Sequence, residues 1–129
     1  MSSCRRLGSQ PLNSDDLTRA AEKLSRTRGV DEWRALMLVL LSHLRELSLP
    51  ALVQPALDVA VTYWDVPGGE GDLFAAKVSC IEFRKQFPSG RDVWYPDGRK
   101  VRALLCVLEP GGDVEARSMT AEWFAAMLS

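Results

Sequence analysis

The sequence predicts an all-α fold, a compact antiparallel bundle of five or six helices. Three observations support it: apolar residues recur at the 3.6-residue period of a helix, Gly- and Pro-rich turns separate the periodic segments, and the connections are short enough to join antiparallel neighbours. We assign residues 13–129 to a single helical domain and residues 1–12 to a flexible N-terminal tail.

The first two helices have clear start and stop signals. Asn13 or Ser14 can cap the first helix, and Gly29 ends it. Asp31 can cap the second helix, which ends before Pro50. The second helix carries one long apolar stripe, formed by Trp33, Leu36, Met37, Leu40, Leu41, Leu44 and Leu47.

The third and fourth helices are predicted on either side of a loop at residues 65–69. Pro55 suits the first turn of the third helix, and Asp72 suits the N-cap of the fourth. The third helix has the apolar positions Leu57, Ala60, Val61 and Trp64. The fourth helix has the apolar positions Leu73, Ala76, Cys80, Ile81, Phe83 and Phe87.

The last third of the chain contains a turn-rich segment followed by two apolar runs. Residues 88–98 hold Trp94 and Tyr95 among Pro, Gly, Ser and Asp residues. Residues 101–108 keep helical spacing, but they are almost wholly apolar, so a buried strand is the alternative. The final helix has the apolar positions Met119, Trp123, Ala126 and Met127. We expect three tryptophans to lie in the core: Trp33, Trp64 and Trp123.

The charge of the chain is close to balanced but unevenly distributed. The formal net charge is −1, which argues against a protein that neutralises nucleic-acid phosphates. Residues 1–50 hold eight basic and six acidic residues, a net charge of +2, and residues 51–129 hold eight and eleven, a net charge of −3. Basic residues are missing from positions 46–76 and 103–116. These stretches are either solvated loops or an acidic surface for a basic partner.

No catalytic or metal-binding pattern is present in the sequence. Three widely spaced cysteines without a CxxC motif indicate neither a disulfide framework nor a zinc site, and they fit a reducing, cytoplasmic environment. His43 is the only histidine and has no accompanying nucleophile motif. The sequence also lacks an apolar stretch long enough to span a membrane. We therefore expect no enzymatic activity, no cofactor, no metal, and no membrane or nucleic-acid partner.

Segments of the second half resemble small helical immunity proteins of bacterial polymorphic toxin and contact-dependent inhibition systems. The strongest element is Arg102-Ala103-x-x-Cys106-x-Leu108-x-Pro110, and the next is Glu122-Trp123-Phe124-x-x-Met127-Leu128. The resemblance covers roughly residues 57–128, and Ile81 stands where that group tends to have Trp.

The resemblance implies an immunity protein that binds and neutralises a cognate secreted toxin domain. Many such toxins are nucleases, whose basic clefts would suit an acidic face. We expect the partner-binding residues to come from the acidic stretches and the turn-rich segment: Asp65, Glu70, Asp72, Arg91, Asp92, Trp94, Tyr95, Asp97, Glu109, Asp113 and Glu115. Nothing in the sequence indicates a homo-oligomer.

Two alternatives remain at this point. A helical adaptor or regulatory module would bind a peptide through Trp94 and Tyr95, provided that these rings are exposed and do not fold back over the fourth helix. A small enzyme would need a ligand pocket beside His43 or the glycine turn at residues 68–71.

Overall fold

The computed structural model describes residues 12–65 and 71–129, and every regular element among them is helical. Single 3₁₀ turns occur at Ala51–Val53 and Asp92–Trp94. The predicted all-α fold is confirmed. The six α-helices are α1 (Ser14–Arg28), α2 (Glu32–Leu44), α3 (Gln54–Asp65), α4 (Leu73–Arg84), α5 (Pro96–Cys106) and α6 (Val114–Leu128).

Side-chain caps begin four of these helices. The Asn13 carboxamide oxygen accepts a hydrogen bond from the Asp15 N–H at 2.7 Å. The carboxylates of Asp31, Asp72 and Asp113 each accept one from the N–H three residues further on, at 2.8–2.9 Å. At the other end of α1, Gly29 adopts φ 68°, a left-handed conformation that glycine reaches without steric cost. The predicted signals at Asn13, Asp31, Asp72 and Gly29 are confirmed.

Helices that follow one another in sequence are also neighbours in space. Each helix packs against the next, and α6 packs back against α1, so the six helices form a closed ring. Near the start of α2, Arg34 Nε donates to the Trp64 carbonyl oxygen at the end of α3. At the opposite end, Arg99 Nε near the start of α5 donates to the Met127 carbonyl oxygen at the end of α6. Successive helices therefore run antiparallel, as predicted.

The core is built around α2, which contacts α1, α3 and α6. Eight of its 13 residues are buried, including Val39, which lies off the predicted stripe. Trp33 and Trp64 are buried as expected, and each indole N–H has a carbonyl partner. Trp33 Nε1 donates to Glu109 O at 3.1 Å, and Trp64 Nε1 donates to Val107 O at 2.8 Å. The two rings thus fix the end of α5 to α2 and α3.

The structure decides between helix and strand for residues 101–108. Residues up to Cys106 are helical, and residues 107–108 form a turn. The helix starts earlier than the turn-rich sequence suggested, because Pro96 occupies its first turn, where a proline needs no N–H donor. Of the predicted tail, only Leu12 is among the described residues, and its side chain is partly buried against the core.

The expected core position of Trp123 is wrong. Trp123 is 46% exposed and Met119 is 60% exposed. The buried residues of α6 are Ala121, Phe124 and Ala125, on a different face of the helix. Apolar residues occur on most sides of α6, so their spacing does not single out one face. Ile81, one of the apolar positions of α4, is also 40% exposed. None of the helices in the described part is both long and apolar enough to cross a membrane.

Candidate protein-binding surfaces

Five of the acidic residues expected to bind a partner gather at one end of the bundle, which we call the acidic end. The ends of α3 and α5 and the starts of α2, α4 and α6 meet there. Lys77 on α4 reaches across to Glu109, with 2.7 Å between Nζ and Oε1, and Arg117 on α6 pairs with Glu32 on α2. The acidic end is formed by Asp65, Asp72, Glu109, Asp113 and Glu115. Glu70, another acidic residue that we expected to bind a partner, lies outside the described residues.

Much of this negative charge also has a structural use. Asp72 and Asp113 cap helices with their carboxylates, and Glu109 shares its charge with Lys77. Asp65 and Glu115 are exposed. A row of N-caps concentrates acids at one end because negative charge is favoured at a helix N-terminus. The C-terminus of α1, with Arg26 and Arg28 in its last turn, also lies at this end, so the exposed acids there have basic neighbours.

The remaining expected residues lie at the opposite end, in what we call the Trp94 turn, residues 91–95. Trp94 is 68% exposed, and the Arg91 guanidinium lies over its ring, 4.9 Å from the centroid. Tyr95 stacks on Phe87, with 4.9 Å between ring centroids and 25° between planes. Asp97 is exposed in the first turn of α5. Trp94 therefore points outward, whereas Tyr95 folds partly back.

The expected surface position of Asp92 is wrong, because its side chain is buried. Arg84 Nε and Arg102 Nε donate to Asp92 Oδ2 at 3.0 and 2.7 Å, and Arg102 Nη2 donates to Oδ1 at 3.0 Å. The hydrogen bond from Arg102 is the main cause that lowers the pKa of Asp92; burial opposes it, and the positive charges of Arg84 and Arg102 reinforce it. Asp92 is thus an anchor inside the fold that holds the Trp94 turn between α4 and α5.

A second contact holds the same turn in place. Gly98 in α5 lies so close to the backbone of the turn that a Cβ atom there would come within 1.9 Å of the Asp92 carbonyl oxygen. Only a residue without a side chain allows this approach. The exposed Trp94 ring therefore belongs to a turn whose backbone is closely packed against α5.

Two apolar surfaces were not foreseen from the sequence. On α4, Phe74, Val78 and Ile81 are 73%, 40% and 40% exposed, and we call these three residues the α4 seam. On α6, Met119 and Trp123 stand beside exposed Glu115 and Glu122, and we call these four residues the α6 face. A count of apolar positions around each helical wheel would have found both, since α4 and α6 have more of them than one buried face needs.

A shallow groove of about 350 Å³ lies beside the α6 face, between α4 and α6. Arg102, Leu105 and Cys106 line it from α5, and Glu109 lines it from the segment that follows the helix. Met119 and Trp123 form one wall, and Arg84 forms part of the other. Apolar side chains beside guanidinium groups make this a place where a partner side chain can be both packed and oriented.

The described cysteines are buried, and the histidine is half-buried. Burial raises the pKa of the Cys80 thiol to about 12, against the charge of Arg84, and burial together with the Glu109 charge raises that of Cys106 to about 12. His43 is half-buried beside Phe124, with 6.4 Å between ring centroids. Over residues 12–65 and 71–129, no group of three His, Cys, Asp or Glu side chains is arranged to hold a metal.

Comparison with known protein families, curated proteins and solved structures finds no match to this chain.

Proposed function

We propose that this chain is an immunity protein that neutralises a cognate toxin domain by stoichiometric binding through the α6 face and the adjoining acidic end. The observation that carries the proposal is the exposure of Met119 and Trp123 beside Glu115, on a helix whose opposite face is buried. The resemblance of residues 57–128 to bacterial immunity proteins supports the same function.

Met119 and Trp123 have the character of binding anchors. Trp is among the residue types that dominate interface energetics, and Met is enriched at interfaces. Both side chains border the groove on α5, so a partner side chain inserted there would contact Leu105 as well. A few such anchors can support nanomolar binding over about 800 Å² per partner.

The acidic residues around these anchors suit a basic partner, and the two arginines that line the groove, Arg84 and Arg102, are themselves paired with Asp92. Glu115 and Glu122 flank them on α6, and Asp113 and Glu109 lie toward the acidic end. A toxin with a basic active-site cleft would be attracted to this surface, and opposite charges at the rim mainly accelerate association. Occupation of such a cleft would exclude its substrate.

Co-expression with the toxin domain encoded by the neighbouring gene tests the proposal. The wild-type chain should restore growth and co-purify at a 1:1 ratio. The double variant Met119→Asp/Trp123→Asp should weaken binding at least about 100-fold in calorimetry, because it places charge where apolar contact is needed. The control Trp94→Ala, in the turn at the end of the bundle opposite the acidic end, should leave protection unchanged. A wild-type chain that neither binds the toxin nor protects the cell contradicts the proposal.

A second candidate function is a helical adaptor that binds a peptide through the Trp94 turn. The exposed Trp94 ring, stacked with Arg91 and held from below by Asp92, favours this function. Selection from a displayed peptide library would test it. Peptides that bind the wild-type chain and Trp123→Asp, but not Trp94→Ala, would support the adaptor function; an absence of enriched peptides would count against it.

A further inference from the structure

Helix α4 is apolar on two opposite faces. Leu73, Ala76, Cys80 and Phe83 are buried against the bundle, whereas the α4 seam of Phe74, Val78 and Ile81 is exposed. A helix that is apolar on nearly all sides is expected to be buried on nearly all sides. The bundle covers only one of these faces, so the α4 seam lacks a partner within residues 12–65 and 71–129.

The seam has the spacing of a coiled coil. The steps from Phe74 to Val78 and from Val78 to Ile81 are four and three residues, which correspond to heptad positions d, a and d. Apolar side chains at these positions pack as knobs into holes of a facing helix. The spacing therefore indicates a helix as the partner of α4.

The charges beside the seam indicate that the partner helix is a second copy of α4. Lys77 takes heptad position g and Glu82 takes position e, on opposite sides of the seam. In a parallel pair of α4 helices, Lys77 of each copy faces Glu82 of the other, since g contacts the e position five residues further on. In an antiparallel pair centred on the seam, both Lys77 side chains would lie on one side of the interface and both Glu82 side chains on the other, so like charges would be neighbours. The charge pattern is self-complementary only in the parallel arrangement.

Both charged groups are available for such contacts. Within the chain, Lys77 pairs with Glu109 and Glu82 pairs with Lys85, and both pairs reach the surface, with 28–67% exposure of the side chains. Exposed ion pairs of this kind contribute little stability. Exchanging them for pairs across an interface therefore has a small cost.

We propose that the α4 seam joins two copies of this chain in a parallel, two-fold symmetric contact. The contact has three apolar layers and ends at Lys85, and a helix of 12 residues is only about 18 Å long. Such a small interface forms a weak, reversible dimer. The seam shares no residue with the α6 face or with the acidic end.

Sedimentation equilibrium of the full chain tests self-association. The wild type should show a concentration-dependent dimer, and Val78→Asp should raise the dimer Kd at least about tenfold by placing a charge in the central layer. Leu52→Asp is the matched control, because Leu52 is an equally apolar, 65% exposed residue outside the seam. Its dimer Kd should equal that of the wild type.

Charge exchange tests the register. Lys77→Glu and Glu82→Lys should each raise the dimer Kd several-fold, and the double variant should return to within about twofold of the wild type. The rescue cannot come from within one helix, where the two positions lie about 140° apart. Toxin neutralisation should be unchanged in Val78→Asp and Glu82→Lys, whose positions belong to neither the α6 face nor the acidic end, so failure of this proposal and failure of the proposed function are distinguishable.

Crosslinking tests the orientation. In a Cys4→Ser background, Phe74→Cys should form an intermolecular disulfide on mild oxidation, because position 74 meets itself in a parallel pair. In an antiparallel pair the two sulfurs would be about 16 Å apart and would not react.

A wild-type chain that is monomeric at about 1 mM would overturn the proposal. The proposal would also be overturned if the increases in dimer Kd caused by Lys77→Glu and Glu82→Lys simply added in the double variant.

Discussion

Arg102 binds the Asp92 carboxylate with two nitrogens, Nε to Oδ2 at 2.7 Å and Nη2 to Oδ1 at 3.0 Å. Arg84 on the neighbouring helix donates to the same Oδ2. One buried acid thereby links α4, the Trp94 turn and α5. The Trp94 turn therefore carries the most exposed tryptophan of the described chain, and it is held in place by the least exposed carboxylate, that of Asp92.

Replacement of Asp92 should destabilise the fold. Asp92→Asn keeps the shape of the side chain but leaves two guanidinium groups without their anion, which should cost about 1–3 kcal/mol of unfolding free energy. The loss is smaller than for a fully buried pair because both arginines retain contact with water. Urea denaturation measures it, with Asp97→Asn on the exposed first turn of α5 as control, expected within about 0.5 kcal/mol of the wild type. Equal stability of both variants would contradict the anchoring role.

The same contact should make stability fall in acid. The folded-state pKa of Asp92 lies below its unfolded value of about 3.9. The carboxylate therefore contributes stability above about pH 4, and this contribution is lost as the pH falls through the folded-state pKa. The stability difference between the wild type and Asp92→Asn should shrink when urea denaturation is repeated from pH 7 down to pH 3. A difference that is constant over this range would show that the Asp92 charge is not involved.

Gly98→Ala should be the most damaging glycine substitution at the Trp94 end. The new methyl group would overlap the Asp92 carbonyl oxygen, and relief of the overlap would separate the turn from α5, at a cost of about 3 kcal/mol. Gly111→Ala is the control, because nothing lies within 4 Å of a Cβ atom at that position. Thermal unfolding monitored by circular dichroism compares the two. A Gly98→Ala protein with an unchanged Tm would show that the turn can shift freely.

The buried cysteines should resist thiol reagents in the folded state. Cys80 and Cys106 have pKa values of about 12, so at pH 8 both remain protonated as well as covered. In a Cys4→Ser variant, a chromogenic disulfide reagent should react with neither thiol within minutes, and with both at once after unfolding in guanidinium chloride. Rapid labelling of one thiol in native buffer would reveal local opening of α4 or α5.

The features that sequence could predict are those set by short stretches of chain. The caps at Asn13, Asp31 and Asp72 depend on a single side chain and the backbone that follows it, and all three appear as expected. The core positions of Trp33 and Trp64 follow from helices with one dominant apolar face. Periodicity and capping are local properties, so a linear sequence contains them.

The features that sequence could not predict depend on which surfaces the bundle covers. Trp123 and Ile81 have core-like neighbours in sequence, yet both are exposed, because small residues such as Ala121 form the packed face of α6 and other positions form that of α4. The sequence places Asp92 in a turn-rich segment, where we expected it to be on the surface. Its burial results from ion pairs with Arg84 and Arg102, eight residues before it and ten residues after it. The division of the expected binding residues between two ends likewise emerges only from the direction of each helix.

The closed ring has a consequence for how the chain reaches its native state. Every helix finds its main neighbour one step along the sequence, so most packing can form between segments separated by a single loop. Such low contact order is typical of helical proteins that fold within microseconds to milliseconds. Docking of α6 onto α1 is the one neighbour contact in the ring that joins distant parts of the sequence, and it carries most of the loop-closure entropy. This closure, together with the contacts that α6 and the segment after α5 make with α2, completes the native topology.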